Sequence, residues 1–255
     1  MRWHFFFETL AYTVAFRIYL AQRKSVGDFL GDSTRWSIIA AAFMGAVLGA
    51  KLLYLAEDPA ATARHWRDFS YLLGGKTIVG ALAGGTIAVE LMKWRAGIQR
   101  RTGDLFAIPL AVGIAIGRIG CFLAGKEDDT YGLPTTLPWG IDLGDGVRRH
   151  PVQLYEILFL IALAFLLARI SPAKDARASD GSTRFAEGDR FRAFMLAYFA
   201  WRLLIDFLKP GIHLAGLTAL QWTCATGILC YTPDLLRMLS FENRKAESKE
   251  MIANG

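Results

Sequence analysis

The chain has 255 residues, is 53% hydrophobic, and has a mean hydropathy of +0.30, with 29 Lys and Arg against 23 Asp and Glu for a net charge of +6. That apolar content excludes disorder, and three cysteines in so long a chain exclude a secreted disulfide scaffold. Only 20% of the residues are charged, less than a soluble domain usually carries, and they cluster between apolar stretches. The pattern is that of an all-α integral membrane protein.

A membrane-crossing helix needs roughly 17–25 predominantly apolar residues. Seven stretches are predicted as such helices, at about 5–22, 36–56, 77–92, 105–125, 154–168, 191–208 and 215–231. The second, fourth and seventh are the strongest. The first carries Glu8 and Arg17, the third is short, and the sixth carries Arg202 and Asp206, so these three suit the interior of a bundle. A cleaved signal peptide is the competing reading of the first stretch, but no A-x-A-like site follows it and charges interrupt its core. Residues 171–189 are predicted as a flexible cytoplasmic loop and 241–255 as a solvated cytoplasmic tail. Residues 1–240 then make one seven-helix membrane domain with an external segment at 126–153. The glycine pairs Gly45/Gly49, Gly80/Gly84 and Gly113/Gly117 are predicted to let helices approach closely.

Basic residues set the orientation. Taking alternate connections together, 17 lie on one side and 8 on the other, the lighter side being that of the N-terminus. The expectation is an N-terminus outside and a C-terminus in the cytoplasm. Most of the net charge is thereby an orientation signal, and no nucleic-acid module accompanies it.

Ionisable residues within the apolar stretches cost at least ~2.5 kcal/mol each at the membrane centre, so each needs a partner or a purpose. Arg17, Lys51 and Glu90 lie near predicted helix ends, where long side chains can reach water. Arg118 lies well inside the fourth stretch. Arg202 and Asp206 are four residues apart, so they share a helix face and suit an ion pair. Arg118 and Arg202 also suit an anionic group such as a phospholipid headgroup, since a guanidinium binds phosphate in a two-point fork and stays charged when buried. No His/Cys cluster with ligand spacing is visible, so no metal is expected. His4, His65 and His213 read as boundary or connection residues, and Cys224 and Cys230 as packing residues.

Three blocks carry a resemblance. The run Gly117-Arg118-Ile119-Gly120-Cys121-Phe122 resembles the G-R-x-G-N-F motif of bacterial prolipoprotein diacylglyceryl transferases. The stretch Tyr131-Gly132-Leu133-Pro134-Thr135-Thr136-Leu137-Pro138-Trp139-Gly140 is similar to that family's Y-G-x-P-T-x-L-P-W-G. The run Arg149-His150-Pro151-Val152-Gln153-Leu154-Tyr155-Glu156 matches its R-H-P-x-Q-L-Y-E at every fixed position. The blocks span about 40 residues in the family's order and spacing. Elsewhere Lys51 stands where an arginine is usual, Arg202 and Asp206 fall where the family has Arg and Glu, and Tyr12 stands for an N-terminal family tyrosine.

The resemblance implies an enzyme of the bacterial inner (cytoplasmic) membrane, multi-pass. It would move the diacylglyceryl group of phosphatidylglycerol to the lipobox cysteine thiol of a prolipoprotein signal peptide, with no cofactor. Arg118, His150, Tyr155, Glu156 and Arg202 are then the expected catalytic residues. Cys121, Asp129, Gln153, Asp206, Tyr12 and Lys51 are expected to bind substrate. The chain also departs from the family pattern. Val79 stands in place of the histidine of the family's H-G-G motif, and Cys121 in place of an asparagine. The family glutamate beyond that asparagine has Glu127, Asp128 or Asp129 as its counterpart. Cys121 is either a packing residue or an acceptor of a lipid or acyl group. The alternatives are a divergent paralogue with another acceptor and a non-catalytic phospholipid-binding membrane protein.

Overall fold

Helices dominate the computed structural model, which describes residues 2–28, 30–128, 130–170 and 186–233. In chain order they are α1 (Arg2–Val26), α2 (Asp32–Glu57), α3 (Pro59–Arg64), α4 (Phe69–Leu73), α5 (Ile78–Arg95), α6 (Asp104–Ala124), α7 (Val152–Arg169) and α8 (Asp189–Ile205), then a final helix over 219–233. Each predicted apolar stretch carries a helix, and several run a few residues beyond the apolar limits. Among the described residues, three helical segments are long and apolar enough to cross a membrane: Asp32–Glu57, Asp104–Asp128 and Val152–Arg169. This is a membrane protein. Of the loop predicted at 171–189, residues 171–185 lie outside the described residues, as does the tail at 241–255; the described end of that loop leads into α8, which begins at Asp189.

The described residues form two compact units. The first takes in residues 2–27 and 101–198 with the last few residues of the final helix, and the second takes in 28–100 and 199–228. In the first, α6 packs between α1 and α7. Its core is small where α6 is crossed, with Ala107 and Ala111 fully buried, and larger along α7 and α8, with Leu160, Phe194 and Met195. Tyr19 of α1 stacks on Phe106 of α6, ring centroids 4.9 Å apart. Asp104, the first residue of α6, accepts the backbone N–H groups of Gly188 (2.7 Å) and Phe191 (3.0 Å). It thereby supplies partners for N–H groups at the start of α8 that no helical carbonyl can reach.

In the second unit α2 packs along α5. Gly45 and Gly49 meet Gly84 and Gly80 so closely that a Cβ on any of the four would strike the facing backbone. The first two glycine pairs are therefore one interface, as small residues in membrane helices permit. The third pair behaves differently. A Cβ at Gly113 would lie 3.2 Å from Ala15 of α1, while one at Gly117 would meet nothing within 4 Å. Thr77 caps α5, its hydroxyl accepting from the Gly80 N–H. Thr218 and Gln221 form a capping box on the final helix: the Gln221 N–H donates to the Thr218 hydroxyl (3.1 Å) and the Thr218 N–H to Gln221 Oε1 (2.9 Å). That cap starts the helix after Thr218 rather than at 215.

The all-α expectation needs one correction. The segment 126–153 contains a small antiparallel hairpin, Ile141–Asp142 against Arg148–Arg149, in register Ile141 with Arg149. Its turn is built on Asp142, whose Oδ1 accepts the N–H groups of Gly144, Asp145 and Gly146. Gly144 and Gly146 take φ of 99° and 77°, which other residues resist. The Asp-Gly pair at 145–146 is the turn signal that hydropathy alone passes over.

Candidate active site

The first unit gathers the three motif blocks around the end of α6. Arg118 lies two turns before that end and is buried, as is Glu156 on α7. Arg118 Nε lies 2.8 Å from Glu156 Oε2, a charge contact at an angle unsuited to a hydrogen bond. Glu156 Oε1 accepts a 2.7 Å hydrogen bond from the Tyr198 hydroxyl of α8. Arg118 Nη1 also donates to Cys121 Sγ, at 3.9 Å. A buried carboxylate and guanidinium are tolerated only when paired in this way. Tyr198 is fully buried, and nothing in the sequence marks it beyond its being a tyrosine in an apolar stretch.

The block 149–156 places its residues on different faces. Pro151 precedes α7, where its missing N–H costs nothing. Gln153 and Glu156, three residues apart, share the buried face. Gln153 Nε2 donates to Thr130 Oγ1 at 3.4 Å, and Thr130 Oγ1 donates to Asp128 Oδ2 at 2.5 Å. Tyr155 turns the other way: its hydroxyl accepts from Trp139 Nε1 at 2.7 Å and lies 3.4 Å from His150 Nδ1. His150, Arg149 and Gln153 line a shallow cleft with Phe122, Ile141, Leu143 and Pro151.

Charge pairs pin the hairpin beside that cleft. Arg149 reaches Asp145 by two bonds of 2.6 and 2.8 Å, Lys126 reaches it at 2.7 Å, and Arg149 lies over the Tyr131 ring. The hydrogen bonds from Arg149 and then Lys126 hold the Asp145 carboxyl well below the usual carboxylate range.

The remaining expected site residues lie elsewhere. Tyr12 of α1 is exposed, its hydroxyl 3.5 Å from Glu8. Arg202 and Asp206 belong to the second unit and are buried, 3.5 Å apart, with Asp206 Oδ2 accepting from Thr218 Oγ1 at 2.7 Å. The ion pair expected from their spacing is present. Lys51, also in the second unit, donates to the carbonyls of Leu73, Gly74 and Gly75, the last at 2.8 Å. Val79 is fully buried on α5. Asp129 lies outside the described residues.

His4 lies at the start of α1, a helix end as expected, and it also belongs to a cluster with Cys121 and Asp128, its Nδ1 3.1 Å from Asp128 Oδ1. No local signal joins residues so far apart in the chain, so the absence of ligand spacing in the sequence did not foresee it.

Comparison with known proteins fits the motif blocks. The family model described as prolipoprotein diacylglyceryl transferase matches residues 1–233. A phosphatidylglycerol–prolipoprotein diacylglyceryl transferase of Trichormus variabilis is 31% identical over 227 residues, covering 82% of this chain and 75% of the relative. The relative of that name from Clostridium tetani is 31% identical over 207 residues, covering 76% and 78%. The one from Bordetella bronchiseptica is 32% identical over 190 residues, covering 70% and 68%.

Proposed function

The chain belongs to the prolipoprotein diacylglyceryl transferase family, and from that premise we propose that it transfers the diacylglyceryl group of phosphatidylglycerol to the cysteine thiol of a prolipoprotein. The glyceryl carbon–oxygen bond to phosphate breaks, a carbon–sulfur thioether forms, and glycerol phosphate leaves. The thiol proton must go to a base, because the thiolate is the nucleophile.

The observation that carries the reading is the buried Arg118 and Glu156 pair within two of the three motif blocks. A guanidinium has five N–H donors. Glu156 and Tyr198 hold this one in place, and its outer N–H groups are the donors assigned to the leaving phosphate, whose growing charge they stabilise. His150, next to the Tyr155 hydroxyl, is the assigned base, and Tyr155 orients it. Gln153, Cys121 and Asp129 are assigned to substrate by their places in the motif blocks. Tyr12, Lys51, Arg202 and Asp206 are assigned on the family resemblance alone.

The proposed setting is the bacterial cytoplasmic membrane. Seven helices cross it within one membrane domain over 1–240, with the N-terminus and the segment 126–153 outside and the C-terminal tail in the cytoplasm. The basic-residue asymmetry supports this orientation.

The test is lipidation of a lipobox peptide by purified protein in vesicles of phosphatidylglycerol. Thioether product is expected from the wild-type chain and its loss from Arg118→Ala. No thioether under any vesicle composition overturns the reading. One observation favours a second reading, transfer to a different acceptor: Val79, where the family has a histidine, is sealed in the interior of its unit. Release of glycerol phosphate without any lipobox peptide would select it.

A further inference from the structure

The first turn of α1 reaches the last turn of α6 because position 120 is glycine; a Cβ there would lie 2.8 Å from Phe7 Cβ. That approach brings His4 against Cys121. Beyond α6, Gly125 at φ 64° breaks the helix, and a 3-10 turn over Gly125–Asp128 carries Asp128 back to the same place. A ring nitrogen of His4, Cys121 Sγ and an Asp128 carboxylate oxygen all lie within 4.8 Å of one another. His4 Nδ1 is buried and makes no hydrogen bond, although Asp128 Oδ1 is only 3.1 Å away. Its contact with Asp128 is thus one of charge without hydrogen-bond geometry, an arrangement that an ion held between the two would satisfy.

We propose that His4, Cys121 and Asp128 bind a divalent transition-metal ion of the zinc class, with a fourth coordination position left to water or another ligand. Imidazole, thiolate and carboxylate are the donor types zinc takes. Bond lengths of about 2.0–2.3 Å set tetrahedral ligand atoms roughly 3–4 Å apart. The observed spacing is therefore reached by small side-chain movements.

The surroundings match those of a metal site. Ligating imidazoles usually turn their other nitrogen to a carboxylate, and ligating carboxylates are themselves hydrogen-bonded. Here Glu8 Oε2 lies 3.8 Å from His4 Nε2, and Thr130 donates to the Asp128 oxygen not facing His4. Arg118 Nη1 faces the Cys121 sulfur. The charges balance as well: a thiolate and a carboxylate neutralise a divalent ion, and Arg118 is paired with Glu156. On binding, a sulfur–metal bond replaces the sulfur–hydrogen bond and the proton passes to solvent. The ion then clips the start of α1 to the end of α6, and Cys121 serves the ion in place of the substrate role that its motif position alone suggests.

Full-length protein in detergent, stripped with chelator, is to be titrated with Co2+, whose thiolate complexes absorb in the near ultraviolet. The expected result is one equivalent bound with a sulfur-to-cobalt band, displaced by Zn2+. The band should disappear in Cys121→Ser and persist in Cys230→Ser. His4→Ala and Asp128→Asn should each weaken binding by more than the roughly 100-fold that a change outside the ligand set can cost. No band in the wild-type chain, a band kept in Cys121→Ser, or unchanged affinity in both other variants overturns the proposal. Zinc-edge X-ray absorption of the wild-type chain needs no variant to fold. One sulfur with nitrogen and oxygen ligands supports the site, and a shell without sulfur refutes it. None of these readouts depends on turnover, so they separate this site from the proposed transfer reaction.

Discussion

Glu156→Gln is the most informative single change, because it removes one charge from the buried pair and alters little else. At 2.8 Å, two unit charges at an effective dielectric of about 20 attract by about 6 kcal/mol. Much of that offsets the cost of taking both groups out of water. The exposed quantity is what remains when one partner goes, typically about 3–5 kcal/mol, since the other charge stays buried and unbalanced. Glutamine keeps the shape and an acceptor for the Tyr198 hydroxyl, which places the expected loss near the lower end, about 3 kcal/mol. For a chain of this size that is a fall of roughly 6–12 °C in the thermal midpoint, measured by fluorescence-detected unfolding in detergent. The double variant Arg118→Met/Glu156→Leu should lose less than the sum of its two single changes, because it leaves no buried charge behind. A Glu156→Gln midpoint within about 2 °C of wild type, or strict additivity in the double variant, would refute this account of the pair.

Four further outcomes are expected. His150→Gln should lower turnover in the lipobox assay by about 10²-fold or more, as loss of a general base does, and a fall below threefold would reassign the base. Gly49→Ala should cost about 1–3 kcal/mol by forcing α2 from α5, read as a lower thermal midpoint, with Gly117→Ala as the near-neutral comparison. Thr218→Ala removes both the cap of the final helix and the hydroxyl that serves Asp206, and should cost about 1–3 kcal/mol in the same assay. The folded hairpin holds the Asp145 carboxyl below its ordinary value of about 3.9, so the stabilisation is present above that pH and is lost only as pH falls through the lower folded value. Hydrogen-exchange protection of the hairpin, corrected for intrinsic rate, should stay level from neutral pH to about 4 and fall in stronger acid. Asp145→Asn should weaken that protection already at neutral pH.

Much of this protein was legible without coordinates. Membrane helices must satisfy their own backbone, so runs of apolar residues report them directly, and α2, α6 and α7 stand where hydropathy put them. Partners within one helical turn or two were legible too: Arg202 and Asp206 pair as four-residue spacing requires. Arg118, His150, Gln153, Tyr155 and Glu156 could be picked out as candidates as well, since they stand in motif blocks whose residue types and order carry the family resemblance. Hydropathy was blind to the hairpin, whose cause is side-chain capping and two left-handed glycines rather than apolar content.

What the sequence left open was every relation between distant residues. Arg118 was expected to meet an anion, and only packing of α6 against α7 shows that the anion beside it is Glu156, steadied by Tyr198. Gly45 and Gly49 announced a close approach without naming α5 as the partner. His4 and Asp128 carried no joint signal, because a ligand set drawn from two helix ends has no spacing to read. Local propensity and hydropathy act over a few residues and are written in the chain. Which helix faces which is decided by small residues, such as Gly120, at the points where two backbones touch.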